Sequence, residues 1–443
     1  MKKTALAILF AVTALAASAQ NPVISGQFSA DPTARVFNGK VYLFPSHDIP
    51  GGVQAFTGEP WFRMQDYHVF SSDDLVNWTD HGVIVSQENV PWGKPDGDSM
   101  WAPDCVEKNG KYYFVFPNGT KKGFGFGIGI AVADKPEGPY ELREEPLAGV
   151  GGIDPCILRD DDGKDYLIWS GMGLRGAMLN EDYTAIIPET VTVFDKDFPK
   201  GGLREGPFAF KRNGIYYLTF PWVQKNTETL SYATADNPLG PYTFRGLIME
   251  ESATGCWTNH HSIVEFNGEW YLFYHHNDYS PDFDKNRSVR IDKIRFNADG
   301  SIQQVTPTLR GVGVTPACSK IQVDRYSMLY PYGTSVDFIN PANPFEGWFV
   351  TIGKPKAYVR YNQVDFSAKP VSSVTVRVRS AKGAEFTIDN SAEHAAPMAT
   401  VKISSTPKWK EVTVPVAGPV EGMNDLTLRC VSGAVDIDWI EFK

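Results

Sequence analysis

Asn109-Gly110-Lys111-Tyr112-Tyr113-Phe114-Val115-Phe116 decides the fold. An Asn-Gly pair suits a tight hairpin turn whose two central residues take positive φ, and the aromatic and β-branched run behind it favours a strand. The phrase recurs as Asn38-Gly39-Lys40-Val41-Tyr42-Leu43-Phe44, Asp162-Gly163-Lys164-Asp165-Tyr166-Leu167-Ile168-Trp169, Asn213-Gly214-Ile215-Tyr216-Tyr217-Leu218-Thr219-Phe220 and Asn267-Gly268-Glu269-Trp270-Tyr271-Leu272-Phe273-Tyr274. The turn glycines are 71, 53, 51 and 54 residues apart. A hairpin repeated about every 50 residues matches the length of a four-stranded propeller blade. A second echo, Ala131-Val132-Ala133-Asp134-Lys135-Pro136 against Ala233-Thr234-Ala235-Asp236-Asn237-Pro238, is offset by 102 residues, two such units. The reading is all-β: a five-bladed β-propeller over residues 20–315.

The pattern stops near Val314, and Thr315-Pro316-Ala317-Cys318-Ser319 reads as a linker. Beyond it Val374, Val376 and Val378 alternate with Thr375, Arg377 and Arg379, and Val412, Val414 and Val416 with Thr413 and Pro415. Such alternation buries one face of an antiparallel sheet. Residues 320–443 are therefore expected to form a β-sandwich of jelly-roll type.

Composition narrows the function. The 443 residues carry 42 Lys+Arg against 52 Asp+Glu, a formal charge of -10. No basic face is available for phosphate contact, so nucleic acid is not the expected partner. Lys2 and Lys3, the apolar run Ala5–Ala17 and Ala17-Ser18-Ala19 resemble an export signal over residues 1–19. Its removal takes the charge from -10 to -12. No later stretch is long and apolar enough for a membrane span, so the expected location is periplasmic or extracellular. Five cysteines, an odd number without a CxxC pair, read as buried thiols, although export also permits one disulfide.

Chemistry-bearing residues stand at the head of each repeat. Counting back from the turn glycines gives Asp31 and Ala102 at eight, Asp154 and Glu205 at nine, and His260 at eight. Asp31, Ala102 and Asp154 each precede a proline, and Glu205 stands one residue before Gly206-Pro207. Equivalent positions on the inner strands of a propeller converge at one mouth of the channel. Three acids there suit glycosidic cleavage. One protonated carboxyl gives its proton to the leaving oxygen, one carboxylate activates water, and a third raises the pKa of the donor.

Ser29-Ala30-Asp31-Pro32, Trp101-Ala102-Pro103-Asp104, Gly152-Ile153-Asp154-Pro155, Arg204-Glu205-Gly206-Pro207 and Asn259-His260-His261-Ser262 together resemble the blade motifs of glycoside hydrolase family 43, arabinofuranosidase/xylosidase type. The resemblance spans about residues 22–315. It implies an inverting enzyme with Asp31 as general base, Asp154 as the residue tuning and orienting the donor, and Glu205 as general acid. It further implies substrate contacts at Trp101, Arg287, Trp61 and His260, with His260 near a central-channel calcium and no organic cofactor. The tail resembles a family 6 carbohydrate-binding module through Ala357–Phe366 and Asp436-Ile437-Asp438-Trp439. That likeness implies a structural calcium at Asp324 and Asp438, although Gln322 replaces one usual acid. It also implies a sugar cleft at Tyr361, Trp409 and Asn424. The expected function is an exported glycosidase releasing terminal arabinofuranose or xylose from plant cell-wall hemicellulose. An endo-arabinanase, a galactan-cleaving relative and a non-catalytic sugar-binding propeller are the alternatives.

Overall fold

The computed structural model describes residues 21–54, 57–123, 125–195, 197–390 and 396–443. The leader expected over residues 1–19 lies outside them. Among the described residues the protein is all-β, its helical content three short 3-10 turns. No helix is long and apolar enough to cross a membrane.

The chain divides into two compact units. The first runs to Gly313 and takes in Phe338–Trp348, and the second comprises Val314–Asp337 and Phe349–Lys443. Five consecutive antiparallel sheets build the first unit. They are β1 (Ala30–Phe37), β2 (Lys40–Asp48), β3 (Met64–Ser72) and β4 (Thr79–Ser86); β5 (Asp104–Lys108), β6 (Lys111–Gly119), β7 (Phe126–Ala133) and β8 (Glu141–Leu142); β9 (Ile153–Arg159), β10 (Asp165–Gly171), β11 (Gly173–Met178) and β12 (Thr192–Val193); β13 (Phe208–Arg212), β14 (Ile215–Val223), β15 (Glu228–Ala235) and β16 (Thr243–Met249); and β17 (Ser262–Phe266), β18 (Glu269–His276) and β19 (Ser288–Lys293). Each is a meander in chain order.

The repeated turns explain this regularity. Asn38, Asn109, Asn213 and Asn267 have φ between 50° and 54°, and the glycines after them between 75° and 79°. This is the doubly left-handed turn that matches strand twist. The third copy differs: Asp160-Asp161-Asp162-Gly163 forms a longer loop, closed by Asp160 N donating to Lys164 O at 2.9 Å. That adds the residue by which Asp154 stands nine rather than eight before its glycine. The 71-residue first interval reflects long connections between β2 and β3 and between β4 and β5, which carry Trp61 and Trp101 to the site described below.

Polar links join the first strands of neighbouring sheets. Arg35 of β1 holds Asp104 of β5 with Nε at 2.9 Å and Nη2 at 2.6 Å, reaches Ile157 O of β9 at 3.2 Å, and lies 4.8 Å from the Phe208 ring of β13. Asp104 also accepts from Ile157 N at 2.7 Å. From the other side Ser262 of β17 accepts from Ala34 N at 2.9 Å and donates to Pro32 O at 2.6 Å. Aromatic and aliphatic clusters fill the space between sheets, such as Tyr67, Phe114 and Phe116 between the first and second.

In the second unit two six-stranded sheets share one core, with Val374, Val376 and Val378 at 0% exposure. Val412 and Val414 are half-buried and pack at its margin. All five cysteines are free, four of them buried. Burial pushes the Cys156 thiol up to about 12, which keeps it protonated and unreactive.

Asp104 is 1% exposed, so removing it strands the Arg35 guanidinium. Asp104→Ala is expected to lower stability by about 3–5 kcal/mol in chemical denaturation. The apolar pair Arg35→Met/Asp104→Leu should recover most of that loss.

Candidate active site

A cavity of about 170 Å³ collects the residues at the heads of the first strands. Asp31 and Asp154 enter it from β1 and β9, Trp101 and Ala102 from the connection before β5, Glu205 from just ahead of β13, and His260 from just ahead of β17. Trp61, Phe62 and Arg287 complete much of the wall. The seven residues expected from sequence to act or bind in the propeller thus line one cavity.

Backbone geometry aims the acids. Asp31 and Asp154 have φ of 46° and 54°, although a residue before proline is normally extended. Pairing is irregular at both places, between Ala30 and Thr33 and opposite Ile168–Ser170, and such bulges redirect a side chain. The strain is about 1–3 kcal/mol per residue, held by the strands around it. In the fourth sheet Gly206, φ 53°, occupies the equivalent pre-proline position. A Cβ there would lie 3.0 Å from His260 Nδ1 and from Pro221 Cγ, a crowding that glycine avoids. The acid accordingly moves one residue back to Glu205, whose longer side chain still lines the cavity.

Arg287, 2% exposed, organises one side. Nη1 donates to Asp31 Oδ1 at 2.7 Å and Thr258 Oγ1 at 3.2 Å, and Nη2 to Asp31 Oδ2 at 3.3 Å and Asp48 Oδ1 at 2.8 Å. Nε donates to Asp48 Oδ2 at 2.9 Å. These contacts engage all five guanidinium N–H groups. Arg287 therefore borders the cavity and supports Asp31. His275 Nδ1 accepts from Asp31 N at 3.0 Å, and its Nε2 lies 3.0 Å from Thr258 O, a set of bonds that assigns the proton to Nε2. Burial alone would raise the Asp31 carboxyl; Arg287, His275 and His260 outweigh it and hold it below the usual aspartate value.

The opposite side is electrostatically reversed. Burial, assisted by repulsion from Glu205 and Asp31, pushes Asp154 up to about 7 against the pull of His260 and the Gly206 amide. Gly206 N donates to Asp154 Oδ2 and to Ser170 Oγ, each at 3.0 Å, which fixes the peptide carrying Glu205. Glu205 is raised by burial and by Asp31. Beside it stands Glu228, 1% exposed, whose Oε2 accepts from Asn259 N at 2.7 Å. Burial and Glu205 raise Glu228 well above the glutamate range. Its Oε1 has no hydrogen-bond donor among the described residues, and two neighbouring buried acids repel unless one of them holds a proton. The cavity therefore holds one acid, Asp31, shifted toward the ionised form and three, Asp154, Glu205 and Glu228, shifted toward the protonated form.

The Trp101 ring lies 4.8 Å from Phe126, and Trp61 is set edge-on to Phe62 at 5.3 Å. Trp257 also lines the cavity. Calcium takes roughly six to eight oxygen ligands, backbone carbonyls and waters among them. His260 offers one nitrogen and belongs to no three-donor group close enough to share an ion among the described residues. Asp324 faces the Arg325 guanidinium at 3.0 Å, and Asp438 pairs with Arg377. Burial pushes Asp324 up to about 6 despite Arg325. The sugar cleft expected in the tail is not assembled. Tyr361 is 1% exposed in the core and donates to Val323 O. Trp409 and Asn424 lie on different sheets.

Asp48, Glu228, Trp257, Thr258 and His275 escaped the sequence reading. Asp48 and His275 stand at or near the ends of β2 and β18 and Glu228 at the start of β15, while the repeat phrase marks only the heads of first strands.

The family model "Glycosyl hydrolases family 43" matches residues 19–302 and "Carbohydrate binding module (family 6)" residues 332–443. The chain is 37% identical over 332 residues to Xylosidase/arabinosidase 43A of Humicola insolens, covering 65% of this chain and 99% of that protein. Among solved structures, a GH43 β-xylosidase/α-arabinofuranosidase from a compost microbial metagenome, in complex with xylotriose and in a calcium-free form, aligns with TM-score 0.59 and 36% identity over 65% of this chain and 98% of its own. An arabinoxylan arabinofuranohydrolase of Bacillus subtilis in complex with cellotetraose aligns with TM-score 0.55 and 25% identity over 96% of this chain and 97% of its own. The chain belongs to glycosyl hydrolases family 43, enzymes that hydrolyse glycosidic bonds.

Proposed function

We propose that this protein is an exported, inverting exo-glycosidase that removes terminal xylose or arabinofuranose from hemicellulose-derived chains, acting in the periplasm or outside the cell. The reading rests on one observation: Asp31 and Glu205 border one cavity with their proton affinities displaced in opposite directions. Asp31 takes a proton from water as the water oxygen bonds to the anomeric carbon. Glu205 gives its proton to the departing glycosidic oxygen as that bond breaks. Asp154 holds the Glu205 peptide through Gly206 N, which orients the donor. Arg287 keeps Asp31 ionised, Asp48 holds the guanidinium in place, and Trp101 and Trp61 offer apolar faces to the sugar. The names of the similar proteins support xylose and arabinofuranose as the sugars.

The same reading makes the five sheets the blades of a five-bladed propeller. Its support is the bonding of β1 to β5 and β9 on one side and to β17 on the other. The two sheets of the second unit then form a jelly-roll sandwich of carbohydrate-binding-module type.

Glu205→Ala is expected to lower kcat by about 10²–10⁴-fold on a xyloside or arabinofuranoside whose leaving group needs a proton. The loss should be far smaller on a dinitrophenyl glycoside, whereas Asp31→Ala should be slow on both. Equal losses on both substrates for Glu205→Ala would remove it from the acid role. Proton NMR of the fresh product should show the anomer opposite to that of the substrate.

The pH profile of kcat/KM should be bell-shaped, with Asp31 protonation on the acid side below the usual aspartate value. The alkaline limb should reflect proton loss from the Glu205–Glu228 pair, above the usual glutamate value. Glu228→Gln removes the shared proton and leaves an amide that stabilises ionised Glu205. The alkaline limb should therefore move to lower pH, and an unmoved limb would show that the two carboxyls do not share a proton.

A further inference from the structure

On another part of the first sheet, His47, Asp66 and His68 bring one potential metal-ligand atom each to within 4.8 Å of one another. Alternation along β3 puts Asp66 and His68 on one face. The β2–β3 pairing shifts between Ser46 and Asp48, so His47 sits in the irregularity and is turned to meet them. His47 Nδ1 lies 2.7 Å from Asp66 Oδ1, and His68 Nε2 lies 3.8 Å from the same oxygen. The two imidazole rings are 5.3 Å apart at 77°. Tetrahedral zinc with bonds of about 2.0–2.1 Å separates its ligand atoms by about 3.3 Å, a value between the two observed spacings. The side chains are 21%, 20% and 15% exposed, open enough for an ion to enter and for water to complete its shell.

A fourth residue carries the argument further. Asp80 of β4 accepts from His68 Nδ1, with its two oxygens at 3.1 and 3.2 Å. Asp80 is itself fixed by Gly82 N at 2.7 Å. Donation from Nδ1 leaves the Nε2 lone pair of His68 facing Asp66. A carboxylate behind an imidazole is the arrangement that orients a metal-ligating histidine and raises its basicity. Two imidazoles and one carboxylate suit zinc, nickel or copper rather than calcium or magnesium.

We propose that His47, Asp66 and His68 bind one divalent transition-metal ion of the zinc type, with Asp80 holding His68 in place. The ion would join β2 to β3 one residue from Asp48, the carboxylate that with Arg287 supports Asp31.

The test is calorimetric titration of zinc into the tag-free, chelator-treated full chain, repeated with cobalt(II) while its visible absorption is followed. One ion per chain with the intense absorption of tetrahedral cobalt is expected. His47→Ala and His68→Ala should each weaken binding by at least tenfold, and Asp80→Asn by about 10–100-fold although Asp80 touches no metal. His81→Ala should bind like the parent, because His81 pairs with Ser71 outside the cluster. Failure of the parent chain to saturate at sub-millimolar zinc overturns the proposal. So does stoichiometric binding that survives both histidine substitutions or is indifferent to Asp80→Asn. Metal-free melting curves verify that each variant is folded, and Asp80→Asn alone decides the matter if a histidine variant is not.

Discussion

A single buried guanidinium governs the chemistry of this molecule. Arg287 lies between Asp31 and Asp48 with every N–H engaged, so its position is set by two strands of the first sheet and its charge cannot be lost. Without it, burial would drive Asp31 toward the protonated form, and a protonated aspartate cannot accept a proton from water. Desolvation acts on every acid of the cavity. What sets Asp31 apart from Glu205 is that the arginine hydrogen-bonds the first and acts on the second only at a distance. Burial instead raises the Glu205 and Glu228 carboxyls.

The sheet framework could be read from the chain because its signal is local. Asn-Gly imposes a backbone shape that few other pairs allow, and the five copies carry their spacing with them. The third copy could not be resolved at residue level, since Asp160-Asp161-Asp162-Gly163 offers several turns of similar plausibility and only the Asp160–Lys164 bond selects one. The offset between Asp154 and Glu205 had a different origin. The recurring geometric element is a left-handed residue before proline, filled by aspartate twice and by glycine once, and φ is not written in the sequence.

The heads of the first strands gave Asp31, Asp154, Glu205 and His260, because repeat equivalence predicts convergence. Asp48, Glu228 and His275 answer to no repeat phrase. They became visible only through partners as far away as Arg287, 239 residues from Asp48. Arg287 lines the cavity as expected, but its bonds to Asp31 and Asp48 could not be read from the sequence. Proximity to a sugar can be guessed, but whether a donor is free depends on how many carboxylates surround it. The same holds for Tyr361, since alternation cannot separate an aromatic that lines a cleft from one that fills the core behind it.

Arg35 touches the first strands of the second, third and fourth sheets while belonging to the first. Linear repeat arrays lose stability one unit at a time, because each unit contacts only its neighbours. Here a cross-brace near the chain start couples sheets whose strands are up to about 170 residues further on. The first unit should consequently melt as one block, and newly synthesised chain cannot complete its folding until Phe208 has left the ribosome. A truncation that spares three whole sheets would still leave this brace without its far partner.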